Sequence, residues 1–296
     1  MSPRVAFIGF GEAGQAMAAG LREDGVADIA AWDILFPETA GADLINAAKT
    51  ANVRAASSAA DAVRDADIVI AAVTAASSYE AAQSVAGYLQ GKPLYLDVNS
   101  VSPGRKQATA TLLGDKTRYV DIAIVSAIYP ARHKSPMMLA GPHAAAAGSV
   151  LASLGMETQV VGDEVGAAAA IKMIRSVMIK GIEALTLECF LAASRAGVAD
   201  QVAASLRNNY PGIDWNKMSE YNIERMASHG IRRAAEMREV ADTLRELGVQ
   251  PLMTAGTIER QQQLGEIGRQ PRVKDAVAKG RTEMLAAIDG ASPERR

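Results

Sequence analysis

Residues 9 to 14 read Gly9-Phe10-Gly11-Glu12-Ala13-Gly14, between a short β-branched run from Val5 to Ile8 and an amphipathic stretch carrying Met17, Ala18 and Leu21. Three glycines at this spacing on a strand-to-helix turn suit one kind of chemistry, the cradling of a pyrophosphate. Gly9 allows the tight turn, Gly11 lets the backbone approach the phosphates, and Gly14 lets the helix pack closely on the strand. The helix N-terminus adds free N–H groups and the positive end of its dipole. Asp33 stands at the end of the second strand-like run, where a carboxylate accepts hydrogen bonds from the adenosine ribose hydroxyls and repels a 2′-phosphate. The expected cofactor is therefore NAD, with NADP disfavoured. Its expected contacts are Gly9, Phe10, Gly11, Glu12, Ala13, Gly14 and Asp33, joined by Val73 and Asn99 at the ends of later strands.

A second constellation lies further along. At 3.6 residues per turn Lys172, Ser176 and Lys180 share one helix face with Ala168. A polar stripe on an otherwise apolar helix needs a polar cavity or solvent to face.

The elements that must position these groups are legible in outline. Short β-branched runs alternate with Ala-rich amphipathic stretches through the first half, the pattern of βαβ units and a doubly wound parallel sheet of Rossmann type. Strands are expected at Val5–Ile8, Ile29–Trp32, Ile68–Val73, Leu94–Asp97, Tyr119–Ile124 and Met137–Ala140. From Asp163 to Gly197 no proline interrupts the chain, which predicts one long helix joining two domains. Further helices are expected at 199–208, 215–228, 232–247, 254–267 and 273–288, with no strand signal among them. The expected division is a dinucleotide-binding domain over 1–162 and an all-α substrate and dimerisation domain over 163–296. The charged tail from Ser292 is expected to fray.

Composition narrows the function classes. The net charge of −2 over 296 residues argues against nucleic acid as the main partner, since phosphate backbones want a basic face. The single cysteine, Cys189, excludes a disulfide framework and fits a reducing cytoplasm; it reads as a packing residue. No apolar run reaches the length of a membrane span, and the first strand-like run begins too early to leave room for a signal peptide. The three histidines, His133, His143 and His229, have no metal-ligand spacing; His229, beside Gly230, reads as a helix C-terminal cap or a substrate contact.

The Gly-Phe-Gly-x-x-Gly-x-x-Met run at residues 9–17, the all-α second half and a lysine early in the linking helix together resemble the β-hydroxyacid dehydrogenases. That family includes 3-hydroxyisobutyrate dehydrogenase and 6-phosphogluconate dehydrogenase. The resemblance is close over residues 1–180 and looser afterwards. It implies oxidation of a hydroxyl β to a carboxyl, in some members followed by loss of the carboxyl as carbon dioxide. Lys172, in Gly162-x-x-x-Gly166-x-x-x-x-x-Lys172, matches the family's catalytic lysine; Ser176 stands where the family usually has asparagine, with Lys180 beyond it. Asp97-Val98-Asn99-Ser100 resembles the segment whose Asn and Ser reach the nicotinamide ribose and substrate. The strand from Val120 resembles the substrate strand, which normally ends Ser-Gly-Gly, whereas here Ser126 is followed by Ala127 and Ile128. Where the family has Lys-Asp in a C-terminal helix, Glu236 fits the acid and Arg232 or Arg233 stands in for the lysine.

The chemistry follows from hydride transfer. The hydroxyl must shed a proton as hydride leaves its carbon, and a lysine partly desolvated beside a positively charged nicotinamide can have its pKa lowered enough to accept it. The resemblance assigns this to Lys172, with Ser126, Asn99 and Ser176 holding substrate oxygens and Lys180 an anionic or phenolic end. Side chains at Ala127 and Ile128 occupy space where backbone amides would meet a carboxylate, so a bulkier or aromatic alcohol is expected. Two other classes stand beside this reading. One is a lyase that oxidises a 1,3-diol and releases an aldehyde such as formaldehyde by retro-aldol cleavage; the other is a non-catalytic NAD sensor. The expected assembly is a homodimer.

Overall fold

Val5, Ala6, Phe7 and Ile8 are all buried, and so unbroken an apolar run forms a strand where both faces of its sheet are covered. That sheet is present in the structure, a computed structural model that describes residues 2–291. Its strands are β1 (Arg4–Ile8), β2 (Asp28–Trp32), β3 (Arg54–Ala55), β4 (Ile68–Ala71), β5 (Leu94–Asp97), β6 (Arg118–Ile124), β7 (Met137–Ala140) and β8 (Thr158–Gly162), in the order β3-β2-β1-β4-β5-β6-β7-β8. Helices α1 (Glu12–Glu23), α2 (Ala42–Thr50), α3 (Ala59–Val63), α4 (Ser78–Val85), α5 (Pro103–Leu113) and α6 (Ala144–Ser153) come between them in the chain. Alternate strand residues feed two separate cores: Phe7, Ile70 and Leu96 on one face, Ile8, Val69 and Tyr95 on the other. Strand order reverses between β1 and β4, the place where ligands bind in such sheets.

Two expectations for the sheet need correction. β7 runs antiparallel to β6, because the connection from Val125 to Pro136 holds one 3-10 turn and no α-helix to carry a parallel crossover. β3 and β8 carry no strong apolar pattern, being edge strands with mostly exposed or half-buried residues; the sequence reading misses both.

The chain divides into two compact units, residues 1–173 and 174–296. The division falls inside the long helix α7 (Ala167–Arg195). Its first turn belongs to the sheet unit because Ala168 packs with Ala123 and Ala140 and the Asp121 carboxylate accepts hydrogen bonds from the Gly166 and Ala169 amides, both 3.1 Å.

The described residues of the second unit carry helices only: the rest of α7, α8 (Ala199–Asn209), α9 (Trp215–Glu246), α10 (Leu252–Ile267), α11 (Pro271–Val277) and α12 (Arg281–Asp289). Leu187, Phe190, Ile223, Met226, Leu264 and Met284 are among its core residues. The expected break near His229 does not exist. α9 runs straight through, so the capping role read for His229 is wrong. Gly230 is there for close approach: a methyl group on it would lie 2.7 Å from the Gly265 amide of α10. The single helix expected over 273–288 is instead α11 and α12, parted at Gly280, whose φ of +101° ends one helix and starts the next. Cys189 is exposed rather than a packing residue. The tail from Ser292 lies outside the described residues. Among the described residues, no helix is long and apolar enough to cross a membrane.

Candidate functional site

The turn after β1 is built by contact. Gly9 has φ +93°, and a methyl group there would overlap Ala72 O and lie 2.6 Å from Val73 Cγ1. Gly14 brings α1 down on that turn, with Gly9 O 2.6 Å from where its Cβ would stand. Gly11, the residue before α1, has open space around the corresponding position. The loop is thus packed tight on the protein side and open at Gly11, with Glu12 and Ala13 beginning the helix. Asp33, just past β2, closes it: its carboxylate accepts from the Phe10 amide at 2.7 Å and the Leu35 amide at 3.1 Å. Two carboxylate oxygens have more lone-pair sites than these two bonds use.

A string of contacts continues along the carboxyl ends of the strands. The Val73 amide donates to Asn99 Oδ1 at 2.7 Å, and the Asn99 side chain donates to Asp97 Oδ1 at 2.8 Å. Asn99 is nearly buried, a bracket between the ends of β4 and β5. Ser100 follows it, and the half-buried Lys172 places Nζ 2.6 Å from Ser100 Oγ. Asp33, Phe10, Gly9, Val73, Asn99, Ser100 and Lys172 are therefore linked without a gap within the sheet unit. The resemblance points to Ser100 as a ribose or substrate contact; its bond to Lys172 is not foreseen from the sequence.

Ser126 sits on the exposed loop after β6, and its hydroxyl bonds the Ala127 carbonyl at 3.1 Å. That loop is tied to the end of α1: Arg132 pairs with Glu23 at 2.6 Å, His133 with Asp24 at 2.9 Å and Lys134 with Asp24 at 2.8 Å. The hydrogen bond from Lys134, followed by that from His133, holds the Asp24 carboxyl below its usual range, and the bond from Arg132 does the same for Glu23. Ile128 is half-buried and packs in part against the sheet unit's core. Tyr129 is the exposed aromatic group of the loop.

In the helical unit Ser176 and Lys180 are both buried. Lys180 donates to Ser176 Oγ at 3.2 Å and pairs with Glu236 at 2.9 Å. Glu236 also accepts from Arg232 at 2.6 Å. Glu236 thus has two cations beside it, Arg232 from its own helix and Lys180 from another. Arg233 does different work: it is buried against Glu183, which also accepts from Gln261 at 2.9 Å.

Beneath the string lie Asp97, Lys106 and Asp121, all wholly buried. The sequence carried a signal for them. A carboxylate at the end of an apolar strand, as in Leu94-Tyr95-Leu96-Asp97, needs a cation or several donors nearby. Among the described residues, no group of three or more His, Cys, Asp or Glu side chains is placed to hold a metal ion.

The chain is similar to known proteins over both units. Residues 4–99 match the family model described as NADP oxidoreductase, coenzyme F420-dependent, and residues 193–264 match a domain of unknown function, DUF1932. A conserved hypothetical protein from Sinorhizobium meliloti is 32% identical, with a TM-score of 0.78, over 99% of this chain and 97% of that one. A conserved protein of unknown function, described as structurally similar to 3-hydroxyacid dehydrogenases, is 30% identical with a TM-score of 0.70, over 89% of this chain and 97% of the other. The 3-hydroxyisobutyrate dehydrogenase of Mycobacterium tuberculosis shares the fold, with a TM-score of 0.72 over 98% and 99% of the two chains at 18% identity. On its glycine turn, its sheet with an all-α second unit, and these relatives, the chain belongs to the β-hydroxyacid dehydrogenase-like family of dinucleotide-binding oxidoreductases.

Proposed function

We propose that the chain is an NAD-dependent dehydrogenase acting on a β-hydroxy substrate, with Lys172 as general base. The observation that carries this is the pairing of Lys172 Nζ with Ser100 Oγ at 2.6 Å, at the end of the string that begins in the glycine turn. The turn fits a dinucleotide: it is open at Gly11 and offers the N-terminus of α1. Gly9 to Gly14 would hold the pyrophosphate, Asp33 the adenosine ribose, and Val73 and Asn99 the strand ends beside the nicotinamide half. The bound cofactor supplies the hydride acceptor. Lys172 takes the hydroxyl proton at Nζ, and Ser100, holding that amine, fixes the direction from which it does so.

The preference for NAD rests on Asp33 and on Ile34, an apolar residue where a 2′-phosphate would want a cation; the matched family's description names NADP, so the choice needs measurement. Ser126, Ser176 and Lys180 are the candidates to hold substrate oxygens. Because Glu236 already balances Lys180, that group suits hydroxyl or phenolic oxygens better than a bare carboxylate. With Tyr129 exposed on the same loop as Ser126, a bulkier or aromatic alcohol is the favoured substrate class. In the helical unit Ile174, Met178 and Leu185 are exposed along α7 at helical spacing, which favours a homodimer in solution, to be read by sedimentation.

The deciding experiment is a screen of alcohols and 1,3-diols with NAD and NADP, following cofactor absorbance and released aldehyde together. Accumulating NADH supports the dehydrogenase. Aldehyde without net NADH, the hydride having been returned to the ketone left by the cleavage, supports the lyase, and binding of NAD with no turnover of any alcohol supports the sensor.

A further inference from the structure

We infer that Asp97, Lys106 and Asp121 form a buried clamp that positions Ser100 and Lys172 against each other; this rests on the reading of Lys172 given above. β5 and β6 are parallel neighbours, and their register sets Asp97 directly opposite Asp121. Both carboxylates are wholly buried, and like charges facing each other across a sheet are destabilising unless something stands between them. Lys106, also wholly buried, comes up from α5 to do so. Its Nζ lies 3.0 Å from Asp97 Oδ1 and 3.5 Å from Asp121 Oδ1, and donates to the Asp97 carbonyl at 2.6 Å.

Three buried charges contribute little net stability over an apolar filling of the same volume, so their value lies in what they hold. Each carboxylate holds one half of the Ser100–Lys172 pair. Asp97 accepts from the Asn99 amide at 3.0 Å and from its side chain at 2.8 Å, fixing the turn that ends in Ser100, and it accepts from the Tyr119 hydroxyl at 2.8 Å. Burial beside Asp97 keeps that phenol protonated well above its usual range, so it stays a donor. Asp121 caps the start of α7 through the Gly166 and Ala169 amides, one turn before Lys172. The starts of α5 and α7 meet where Gly166, at φ +104°, leaves 3.1 Å between its would-be methyl and Pro103 Cβ. Asp97, Lys106 and Asp121 are thus positioning residues. They touch no reacting atom, yet they set the spacing of the two groups that would.

The test reads the lysine itself. The full chain is labelled with trace acetic anhydride over a range of pH, and peptide mass spectrometry gives the reactivity of Lys172 relative to Lys217, whose side chain is 88% exposed. In Asp121→Ala the helix start is released, and the Lys172 ratio should rise by about fivefold or more as its bond to Ser100 opens more often. Asp121→Asn keeps an oxygen for the two amides and should stay within about twofold of the parent. Lys106→Met should raise the ratio as Asp121→Ala does; if it does not fold, the two Asp121 variants decide alone. An unchanged Lys172 ratio in Asp121→Ala overturns the clamp, as does a rise shared equally by the buried Lys180, which marks general loosening. The clamp and the base assignment fail separately. Turnover retained by Lys172→Met removes the base and leaves the labelling result standing. Unchanged labelling with an inactive Lys172→Met removes only the clamp.

Discussion

Gly9 and Gly11 stand two residues apart in one loop, and alanine at each should do opposite things. At Gly9 the backbone has φ +93°, and the added methyl group would overlap Ala72 O and lie 2.6 Å from Val73 Cγ1. The left-handed conformation costs an L-residue about 1–2 kcal/mol, and forcing a methyl into packed surroundings adds about 1–3 kcal/mol. Gly9→Ala should therefore destabilise the sheet unit by about 2–5 kcal/mol, lowering its melting temperature by roughly 5–20 °C. At Gly11 φ is −72° and ψ −160°, an ordinary extended conformation, and no atom lies within 4 Å of the added carbon. Gly11→Ala should cost a few tenths of a kcal/mol as a poorer N-cap, about 1 °C in melting temperature. Its methyl would still stand in the open space through which a pyrophosphate approaches, so NADH should bind about tenfold or more weakly, a loss of about 1.4 kcal/mol. Thermal melts without ligand and a fluorescence titration with NADH separate the two effects. Wild-type NADH affinity in Gly11→Ala would refute the reasoning about where the phosphates lie; wild-type melting of Gly9→Ala would refute the reasoning about strain.

Lys172→Met keeps the length of the stem and removes the base, so turnover of an alcohol found by screening should fall by about 10² to 10⁴ with NAD affinity little changed; near-normal turnover would move the role elsewhere. Asp33→Asn keeps an oxygen for the Phe10 amide and removes the charge, and should narrow the NAD-over-NADP gap by about 1–3 kcal/mol in calorimetry; a parent chain that prefers NADP would sink the cofactor argument. In the helical unit Gly230→Ala meets the α10 backbone and should destabilise by about 1–3 kcal/mol. Gly256→Ala has open space and should instead stabilise by up to about 1 kcal/mol in thermal melts; equal effects would contradict the packing account. Asp24 and Glu23 have depressed folded pKa values, so their hold on residues 132–134 is present above the unfolded carboxylate range and lost as pH falls through the folded values. Hydrogen exchange of 132–135 should thus reveal loosening below about pH 4 once corrected for intrinsic rates, and equal protection at neutral and acid pH would contradict it.

The sheet was legible because its strands are buried on both faces, which leaves unbroken apolar runs that need no knowledge of the neighbours. The glycine turn was legible for a related reason: each glycine answers a constraint local to one strand, one turn and one helix. Edge strands β3 and β8 have no such imprint, since a short partly exposed segment becomes a strand only when a neighbour offers it hydrogen bonds. Gly230 misled in the same way. By local propensity it reads as a stop, and only the approach of α10 shows that the missing side chain is there to let two helices touch.

For the site, Lys172, Ser176 and Lys180 could be placed on one face of α7 by helical periodicity alone, because spacing along a helix fixes direction. Their partners could not. Ser100 was visible as a residue, but its bond to Lys172 spans 72 positions of chain. Lys180 and Glu236 likewise meet from different helices. Asp97, Lys106 and Asp121 became one group because sheet register sets two carboxylates opposite each other and α5 brings the cation between them. The sequence by itself determined which local conformations were possible and which chemistry was on hand. Tertiary structure decided which charges meet, because the cost of burying a charge depends on atoms that only the folded chain brings near it.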